Sequence, residues 1–584
     1  MPWQPDLETS EFIDLLALQN ALQYEGKGQS GSVIGRLMGH RNDLKSHAKD
    51  LIKIVNLSVE KANSIALDEG LEKVRQMIEE KAPDLLKTEK KVRREGLPDL
   101  PNIDAEKVVL RFAPNPNGPL TFGHSRGIVI NSEYAKRYDG ELILRFDDTD
   151  TSIKPPLPWA YAQIENEVEW LTGAKPTKVI IVSNRMKTYY EYAEKLIQMG
   201  GAYICTLTAE EFREYRISKT DSPCRDRTAS ENLKLWNKML EGGFKPGEAV
   251  VRVKTDMQLK NPALRDWPAL RLQDTTSKPH PRKEIGSKYI VWPLLDFQSA
   301  IDDYLEGVTH IIRGKDLMDS TRKQILLYEH FEWTYPETIY WGRVKIHEFG
   351  GFSTSGMRMK IDEGAYEGWD DPRLPTISSL QRRGLSPDAL KAFWIELGLT
   401  QKDISASLAT LFSHNTTIVD PKSPRLSFVR NPLEIKLESR DVKHQVEKVI
   451  SSVHPEFPKL GNRELNLTWS EGTTSIIVEE IDVTNKSDVR LKEFANIKLS
   501  GENAIIDTFE LVDGIPIIHW LPNTEESYSA AELITVEDGE IVTHKGYIES
   551  FDYPEGTIVQ LERIGYAKIE NSNNVCKKLI FLHN

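Results

Sequence analysis

A segment rich in proline, asparagine and glycine follows the first strand-like stretch and ends in a histidine. It reads Arg111-Phe-Ala-Pro-Asn-Pro-Asn-Gly-Pro-Leu-Thr-Phe-Gly-His124. The prolines and glycines favour a rigid turn, and Gly123 allows a ligand to approach the backbone closely. A helix that begins near His124 would direct free N–H groups and its positive dipole end at phosphate groups. A glycine followed by a histidine, taken alone, more often marks an ordinary loop with a surface histidine.

Three carboxylates, Asp147, Asp148 and Asp150, follow the next strand-like stretch, ELILRF at 141–146. Such a cluster indicates either a metal site or a capped, solvated turn. ELILRF and the earlier VVLRF (108–112) flank a segment that can form a helix, which predicts a βαβ unit with a parallel sheet. Ligands of such sheets bind at the carboxyl ends of the strands. We therefore expect the proline-rich loop and the carboxylates to share one site.

The composition is that of a globular protein. The 584 residues are 39% hydrophobic and 28% charged, and chains of this length usually form several domains of roughly 100 to 200 residues. The net charge of −13 gives no sign of nucleic-acid binding, but an acidic protein can carry one basic face, so charge leaves the question open. Three cysteines, a polar N-terminus and no apolar stretch of about 20 residues predict a cytoplasmic protein.

The spacing of apolar residues differs between the two ends of the chain. Apolar residues at helical spacing, among them Phe12, Leu16 and Leu51, predict helices before residue 100. From about residue 420 onward, short alternating stretches predict β-barrels or sandwiches. A basic cluster in the helical part indicates either a solvated helix face or an RNA contact; it consists of Lys90, Lys91, Arg93 and Arg94.

The proline-rich loop and LRFDDTD together resemble the signature of the glutamyl/glutaminyl branch of class I aminoacyl-tRNA synthetases. AYICT, DDYLEGVTHIIRGKD, GWDDPRLPT and ALKAFWIELG continue the resemblance in family order, so it covers nearly everything from residue 90 onward. The layout is similar to the archaeal and eukaryotic type, whose anticodon-binding part is two β-barrels. The resemblance implies a multidomain α/β fold with a Rossmann-type parallel-sheet catalytic domain.

The same resemblance implies a division of the chain into six parts. These are an N-terminal helical extension (1–104), the first half of the Rossmann catalytic domain (105–184), an inserted tRNA acceptor-end-binding domain (185–290), the second Rossmann half (291–350), a helical connecting domain with an FSTS motif (351–411) and two anticodon-binding β-barrels (412–584).

Two nucleotide motifs depart from the family pattern. Thr121 stands where the family usually has the first histidine of its HIGH-type loop. The FSTS motif, Phe352 to Ser355, replaces KMSKS, and Gly351 and Thr354 stand at the two lysine positions. The resemblance implies catalytic roles for His124, Thr121, Ser353, Thr354 and Ser355. It implies ATP binding by Pro114, Asn115, Pro116, Asn117, Gly118, Gly123, His124, Gly127, Lys315, Asp316, Arg343 and Val344.

The resemblance implies that the amino acid is bound by four residues: Arg111, Asp147, Leu295 and Arg313. Asp147 would pair with the α-ammonium group and Arg111 with a carboxylate. Arg313 stands where glutamyl enzymes keep an arginine, and its guanidinium can bind the γ-carboxylate of glutamate bidentately. A buried structural arginine is the alternative interpretation. Leu295 replaces the usual tyrosine and offers no hydrogen bond.

Zinc is not expected. Relatives often show C-x-C followed by a further cysteine, but here Leu207 takes the second position. Cys205 and Cys224 alone cannot complete a tetrahedral site, so the resemblance implies no zinc here.

The resemblance implies that glutamate is activated with ATP and Mg²⁺ and transferred to the 3′-terminal adenosine of tRNA(Glu), with tRNA present for the first step. It leaves open whether tRNA(Gln) is also charged, which a tRNA-dependent amidotransferase would then correct. A monomer is expected. A glutaminyl enzyme, disfavoured by Asp150 and Arg313, and a non-catalytic tRNA-binding relative are the alternatives.

Overall fold

The computed structural model describes residues 5–24, 26–41, 44, 47–82, 85, 96–103, 107–346, 348, 353–571 and 576–584. The chain divides into two compact units, Met1–Glu95 and Gly96–Asn584. In the described part of the chain, no helix is both long and apolar enough to cross a bilayer.

The first unit is helical, as its apolar spacing predicts. Its helices within the described residues are α1 (Leu7–Gln23), α2 (Ser30–His40), α3 (Ala48–Asp68) and α4 (Leu71–Lys81). Ile13, Leu16, Leu51 and Val55 meet in its core. The basic cluster at Lys90 to Arg94 lies outside the described residues.

The second unit contains the other helices and all of the named strands. The helices are α5 (Phe122–Arg137), α6 (Ala160–Thr172), α7 (Met186–Gln198), α8 (Ala209–Ser218), α9 (Ala229–Leu240), α10 (Leu295–Leu305), α11 (Met318–Phe331), α12 (Thr354–Asp362), α13 (Ile377–Arg383), α14 (Pro387–Leu397), α15 (Leu408–Val419) and α16 (Glu480–Val483). The strands of its first part are β1 (Val109–Phe112), β2 (Glu141–Phe146), β3 (Lys178–Ile181), β4 (Ala202–Cys205), β5 (Val250–Val253), β6 (Pro268–Leu272), β7 (Val291–Pro293), β8 (His310–Gly314), β9 (Glu337–Trp341), β10 (Val344–Ile346) and β11 (Ile404–Ala406). The remaining strands are β12 (Arg425–Leu426), β13 (Phe428–Arg430), β14 (Pro432–Glu438), β15 (Lys448–Ser452), β16 (Asn462–Asn466), β17 (Thr473–Glu479), β18 (Asp488–Leu491), β19 (Asn496–Ser500), β20 (Asn503–Thr508), β21 (Ile517–Ile518), β22 (Leu521–Pro522), β23 (Tyr528–Glu537), β24 (Glu540–Glu549), β25 (Ile558–Leu561), β26 (Gly565–Asn571) and β27 (Lys577–His583).

A parallel sheet is built from strands between residues 109 and 341, as predicted. β1 pairs with β2 and β2 with β3, all in parallel, and β8 pairs in parallel with β9. The carbonyl of Val108 accepts the N–H of Glu141 on one side of β1, and the carbonyl of Val109 accepts the N–H of Thr309 on the other. The strand order is therefore β3-β2-β1-β8-β9, and it reverses at β1. Doubly wound folds bind ligands at the carboxyl ends of the strands beside such a reversal.

An antiparallel sheet of order β4-β5-β6-β7 lies in the chain between β3 and β8. Trp236, Trp267 and Trp292 are buried in its core. The apolar run YIVWPLLDF (289–297) favours a strand by its composition, but the structure divides it into β7 and the start of α10. The division arises because Phe297, Ala300 and Ile301 recur at helical spacing and are all buried.

The C-terminal region is β-rich. The strands of one of its two sheets lie, in the sequence, between strands of the other. One seven-stranded sheet has the order β12-β25-β26-β27-β23-β24-β13 and the other β21-β18-β19-β20-β14-β17-β22. The second sheet is thus built from a segment that interrupts the first. Tyr566 and Leu582, from the first sheet, are buried in one core with Phe393 and Trp394 of α14. The β-barrel character predicted for this region is confirmed.

Candidate active site

Two helices begin at the wall of one cavity of about 550 Å³. α5 begins after Thr121, whose hydroxyl oxygen accepts the N–H of His124 at 3.4 Å. α12 begins after Ser353, whose hydroxyl oxygen accepts the N–H of Gly356 at 3.1 Å. The positive ends of two helix dipoles therefore face the same space, an arrangement that favours anionic ligands.

The imidazole of His124 has a defined tautomer. Its Nδ1 accepts the backbone N–H of Thr121 at 3.2 Å, which completes a capping box at the start of α5. The ring reaches the cavity, yet the surrounding protein atoms lower the pKa of His124 to about 4 by desolvation. The ring is therefore neutral at neutral pH and carries its proton on Nε2. His124 can donate one hydrogen bond from Nε2.

Positive charge lines the larger cavity. Arg126 is buried, with its guanidinium 5.2 Å from the ring centroid of Trp341, and it donates to the carbonyls of Gly342 and Gly398. Burial lowers the pKa of Arg126 to about 10, so the group stays charged at neutral pH. Arg343 and Lys345 are exposed on the same wall. The cavity can therefore attract a polyanion.

A second, smaller cavity of about 190 Å³ lies at the carboxyl ends of β1, β2 and β8. The four residues expected to bind the amino acid all line it: Arg111, Asp147, Leu295 and Arg313. Trp341 lines both cavities. A molecule in the smaller cavity can therefore lie next to one in the larger.

Buried ion pairs organise the smaller cavity. Asp303 accepts hydrogen bonds from Arg111 at 3.2 Å and from Arg145 at 2.9 Å. Burial alone would raise the pKa of Asp303, but the two guanidinium groups outweigh it and hold the pKa below its usual value. Arg145 also donates to Asp147 at 2.9 Å. The backbone N–H of Asp147 in turn donates to the carbonyl of Pro114 at 3.0 Å, which joins the two polar loops.

Arg313 differs from the other two arginines. Only 6% of it is exposed, and its Nη1 donates to Thr321 Oγ1 at 3.3 Å and to Gln324 Oε1 at 3.2 Å. Within the described residues no carboxylate lies within 4.0 Å of its guanidinium, and its buried Nε has no hydrogen-bond partner. Burial and the nearby Arg111 both lower the pKa of Arg313. A buried charge without a counter-ion requires an anionic partner, so Arg313 can receive a ligand carboxylate.

The predicted residues fall into three groups. The wall of the larger cavity includes Thr121, Gly123, His124, Asp316, Arg343, Val344, Ser353 and Thr354. Gly127 lines the smaller cavity with the four amino-acid positions. The lining residues of these two cavities do not include Pro114, Asn115, Pro116, Asn117, Gly118, Lys315 and Ser355. Phe352 of the FSTS motif and the preceding Gly351 lie outside the described residues.

Some of these last residues support the cavity walls. A Cβ atom added to Gly118 would lie 2.7 Å from Thr354 Cγ2, so the loop after β1 packs directly on the turn before α12. Asn115 Nδ2 donates to the carbonyl of Lys154 at 3.3 Å, and Lys315 pairs with Asp403 at 2.9 Å.

The polar lining residues that sequence reasoning missed include Arg126, Lys345, Arg145 and Gln324. It also missed Asp303, which pairs with Arg111 and Arg145 behind the smaller cavity. Arg145 lies within the strand ELILRF and Asp303 within the quoted segment DDYLEG. A charged residue inside an apolar strand was the available signal, because such residues are almost never buried unless they are paired.

The two cysteines of the inserted region are structural in character. Cys205 and Cys224 are buried in an apolar cluster with Tyr203 and Phe212. The hydrogen bond that its thiol donates to Cys224 and burial both raise the pKa of Cys205. Among the described residues, no group of three or more His, Cys, Asp and Glu side chains could hold a metal ion. The absence of zinc remains a prediction.

Comparison with protein families gives two matches along the chain. The model "tRNA synthetases class I (E and Q), catalytic domain" matches residues 107–420, and "tRNA synthetases class I (E and Q), anti-codon binding domain" matches residues 423–511. A crystal structure of a glutamate tRNA ligase from Elizabethkingia meningosepticum, in complex with its amino acid, covers 55% of this chain and 70% of its own with 20% identity and a TM-score of 0.38.

Curated relatives match over almost their whole length. "Glutamate--tRNA ligase" of Archaeoglobus fulgidus is 40% identical over 96% of this chain and 98% of its own. That of Methanosarcina mazei is 42% identical over 96% and 97%, and that of Pyrococcus furiosus is 39% identical over 99% and 100%. Because the catalytic-domain model matches more than half of the chain and these relatives match nearly all of it, this chain belongs to the class I tRNA synthetases of the E and Q family.

Proposed function

We propose that this chain is a glutamate–tRNA ligase, which activates L-glutamate with ATP and transfers it to tRNA(Glu). The observation that carries the proposal is Arg313, a buried guanidinium with no carboxylate within 4.0 Å among the described residues, on the wall of the smaller cavity. The relatives above bear the name of this activity.

The charges of the smaller cavity match glutamate better than glutamine. Three guanidinium groups, of Arg111, Arg145 and Arg313, stand against the carboxylates of Asp147 and Asp303. The excess positive charge complements glutamate, whose two carboxylates outnumber its single ammonium. Glutamine has no net charge and would leave Arg313 buried without a counter-ion, which costs about 1–3 kcal/mol or more. This asymmetry supports glutamate and disfavours the glutaminyl alternative.

The larger cavity would hold MgATP. Val344 and the rings of Trp341 and Trp394 offer apolar surface for adenine, while the starts of α5 and α12 face the phosphates. Arg343 and Lys345 would supply the positive charge that the missing KMSKS lysines do not. Mg²⁺ would enter with the nucleotide, and we assign no residue of the chain to it.

Activation would transfer the adenylyl group. An α-carboxylate oxygen of glutamate attacks the α-phosphorus, the bond to the bridging oxygen breaks, and pyrophosphate leaves. The Nε2–H of His124 would donate to the phosphate oxygens as charge develops on them, while the two helix starts stabilise the same charge. Most of the rate would come from this positioning and charge stabilisation.

Transfer would then form the ester. A ribose hydroxyl of the terminal adenosine of tRNA attacks the activated carbonyl and gives up its proton, and AMP leaves. We assign the acceptor end to the inserted domain at 185–290 and the anticodon to the barrels at 412–584, with tRNA needed for activation. We also propose a cytoplasmic monomer, with the 1–104 extension as a separate domain.

Charging of separate tRNA(Glu) and tRNA(Gln) transcripts with labelled glutamate and labelled glutamine tests the proposal. Glutamate on tRNA(Glu) alone is the result of a discriminating enzyme, and glutamate on both tRNAs implies a downstream amidotransferase. Glutamine transfer would overturn the assignment of Arg313. Binding of tRNA without formation of aminoacyl-tRNA would favour a non-catalytic relative instead.

A further inference from the structure

Gln324, on α11, is a fully buried amide on the wall of the smaller cavity. Its Oε1 accepts from Arg313 Nη1 at 3.2 Å and from the hydroxyl of Tyr335 at 2.6 Å. Its Nε2 donates to Ser299 Oγ at 2.5 Å, and Ser299 donates to the carbonyl of Leu295 at 2.7 Å. One side chain therefore connects the arginine to the helix that carries Leu295.

The chemistry of the partners fixes the orientation of this amide. Arginine can only donate hydrogen bonds, so the atom of Gln324 that faces Arg313 must be the oxygen. Ser299 gives its own proton to Leu295, so it must accept from the nitrogen of Gln324. Each of these hydrogen bonds thus runs from a donor to an acceptor, and a flipped amide would set donor against donor at Arg313.

A neutral acceptor at position 324 has a specific consequence. It holds the Arg313 guanidinium in place without cancelling its charge, whereas a carboxylate of the same length would form a buried ion pair with it. The carboxylates Asp303 and Asp147 are already engaged with Arg111 and Arg145. Among the described neighbours, Arg313 is thus the cation left for a ligand.

We propose that Gln324 is a specificity-determining positioning residue, which orients Arg313 and keeps its charge available for the γ-carboxylate of glutamate. This inference rests on the proposed ligase function. It assigns the rejection of glutamine to two residues rather than one: Arg313 supplies the charge, and Gln324 prevents the protein from neutralising it.

The Gln324→Glu variant tests this assignment. The new carboxylate would pair with Arg313, so the KM for glutamate rises about 10- to 100-fold, as for a lost charge-assisted hydrogen bond. Discrimination against glutamine, measured as the ratio of kcat/KM values, falls by a similar factor, while the KM for ATP stays unchanged. Gln29→Glu, the same change at an exposed position of the helical first unit, leaves all three quantities unchanged.

Gln324→Met separates charge from packing. Methionine has a similar length but accepts no strong hydrogen bond, so Arg313 is less well oriented and still charged. The KM for glutamate then rises about 3- to 10-fold, as expected for one weaker hydrogen bond, and glutamine is still rejected. Equal effects of Met and Glu on the discrimination ratio would reduce Gln324 to a packing role and overturn the proposal.

Folding and the proposed function are checked in the same experiment. If the Gln324→Glu variant fails to fold, the Gln324→Met variant is a sufficient test by itself. An unchanged KM for glutamate in Gln324→Met then overturns the proposal, because an orienting acceptor cannot be removed without effect. The wild-type chain is assayed in parallel. Its failure to charge any tRNA refutes the ligase function, whereas normal wild-type charging with an unchanged Gln324→Glu variant refutes only the role of Gln324.

Discussion

Gly118 and Thr354 lie so close that a single methyl group would not fit between them. A Cβ at Gly118 would lie 2.7 Å from Thr354 Cγ2 and 3.1 Å from the ring of Trp369. Gly118 belongs to the loop after β1, and Thr354 begins α12, 236 residues later in the chain. The two nucleotide motifs are therefore in direct contact, and the position of one constrains the other.

Gly118→Ala is expected to separate these motifs. Relief of the overlap would cost about 1–3 kcal/mol, so kcat/KM for ATP falls about 10-fold, with a smaller effect on glutamate. Thr354→Ser removes Cγ2 and keeps the hydroxyl, so the double variant should recover most of the loss in steady-state charging assays. Gly31→Ala is the control, since a Cβ at Gly31 meets nothing within 4 Å. Additive losses in the double variant would contradict direct contact as the cause.

Substitutions of His124 should distinguish the roles of its two ring nitrogens. Asparagine can imitate Nδ1 and keep the bond to Thr121, but it lacks a donor at the position of Nε2. His124→Asn should therefore lose about 100- to 1000-fold in kcat, the usual cost of a lost transition-state donor. His124→Gln places an N–H near Nε2 and should retain more activity. Pre-steady-state adenylate formation in the presence of tRNA measures both, and the opposite ranking would refute the tautomer assigned here.

The lowered pKa of His124 also affects stability. The unfolded chain takes up a proton as pH falls below 6.5, whereas the folded protein does so only near pH 4. The unfolded state therefore binds more protons in this window, and stability decreases as pH falls from about 6.5 toward 4. His124→Gln lacks this contribution. Urea denaturation at pH 7.5 and pH 5.5 measures the free energy of unfolding of both proteins. Relative to wild type, the His124→Gln variant should be more stable at pH 5.5 than it is at pH 7.5. A difference that stays constant between the two pH values would argue against a depressed pKa.

Arg313→Ala should raise the KM for glutamate about 10- to 100-fold, because one charge-assisted hydrogen bond is lost. Arg313→Lys keeps the charge but loses the bidentate geometry, so its effect should be intermediate. Arg322→Ala, on α11, breaks only an exposed pair with Asp319 and serves as the control. Glutamate-dependent charging at saturating ATP measures all three. A wild-type KM for Arg313→Ala would leave the arginine a structural role.

Arg463 connects the two C-terminal sheets. It lies on β16, packed with the second sheet. It pairs with Glu549 of β24, in the first sheet, at 2.5 Å and with Glu562, which directly follows β25 of the same sheet. Arg463→Met would leave these buried carboxylates short of a partner, at a cost of about 3–5 kcal/mol. The Tm should fall and the KM for tRNA should rise, with the KM for glutamate unchanged.

A matched control lies on the same hairpin. Lys448 pairs with Glu464 at 2.8 Å, but both side chains are about half exposed. Lys448→Met should therefore cost less than about 1 kcal/mol. Calorimetry on both variants compares the buried pair with the exposed one, and equal changes in Tm would contradict a special role for Arg463.

Local sequence patterns predicted the elements that form the site. ELILRF is a strand from Glu141 to Phe146, and the helix expected from residue 124 begins two residues earlier, at Phe122. The earlier start has a local cause, since Thr121 caps the helix and its hydroxyl accepts from His124. The strand and the helix start depend on residues that are close in the chain, so they can be predicted from a single sequence.

Contacts between distant residues were beyond local patterns. Nothing near Gln324 indicates that its oxygen meets Arg313 and its nitrogen Ser299, 25 residues earlier. The pairing of β12 with β25 joins residues more than 130 positions apart, and only the folded chain reveals it. Loop closure over such distances depends on the whole topology rather than on the paired residues.

The burial of Tyr566 and Leu582 against α14 affects how the protein is made. A ribosome completes the helices α13 and α14 long before it reaches β26 and β27. Until those last strands emerge, the apolar faces of the helices stay uncovered, because the segment that forms the second sheet is translated in between. Slow closure of this kind is typical of folds built from long-range contacts. A chain that ends before β26 would therefore leave the apolar faces of these helices uncovered.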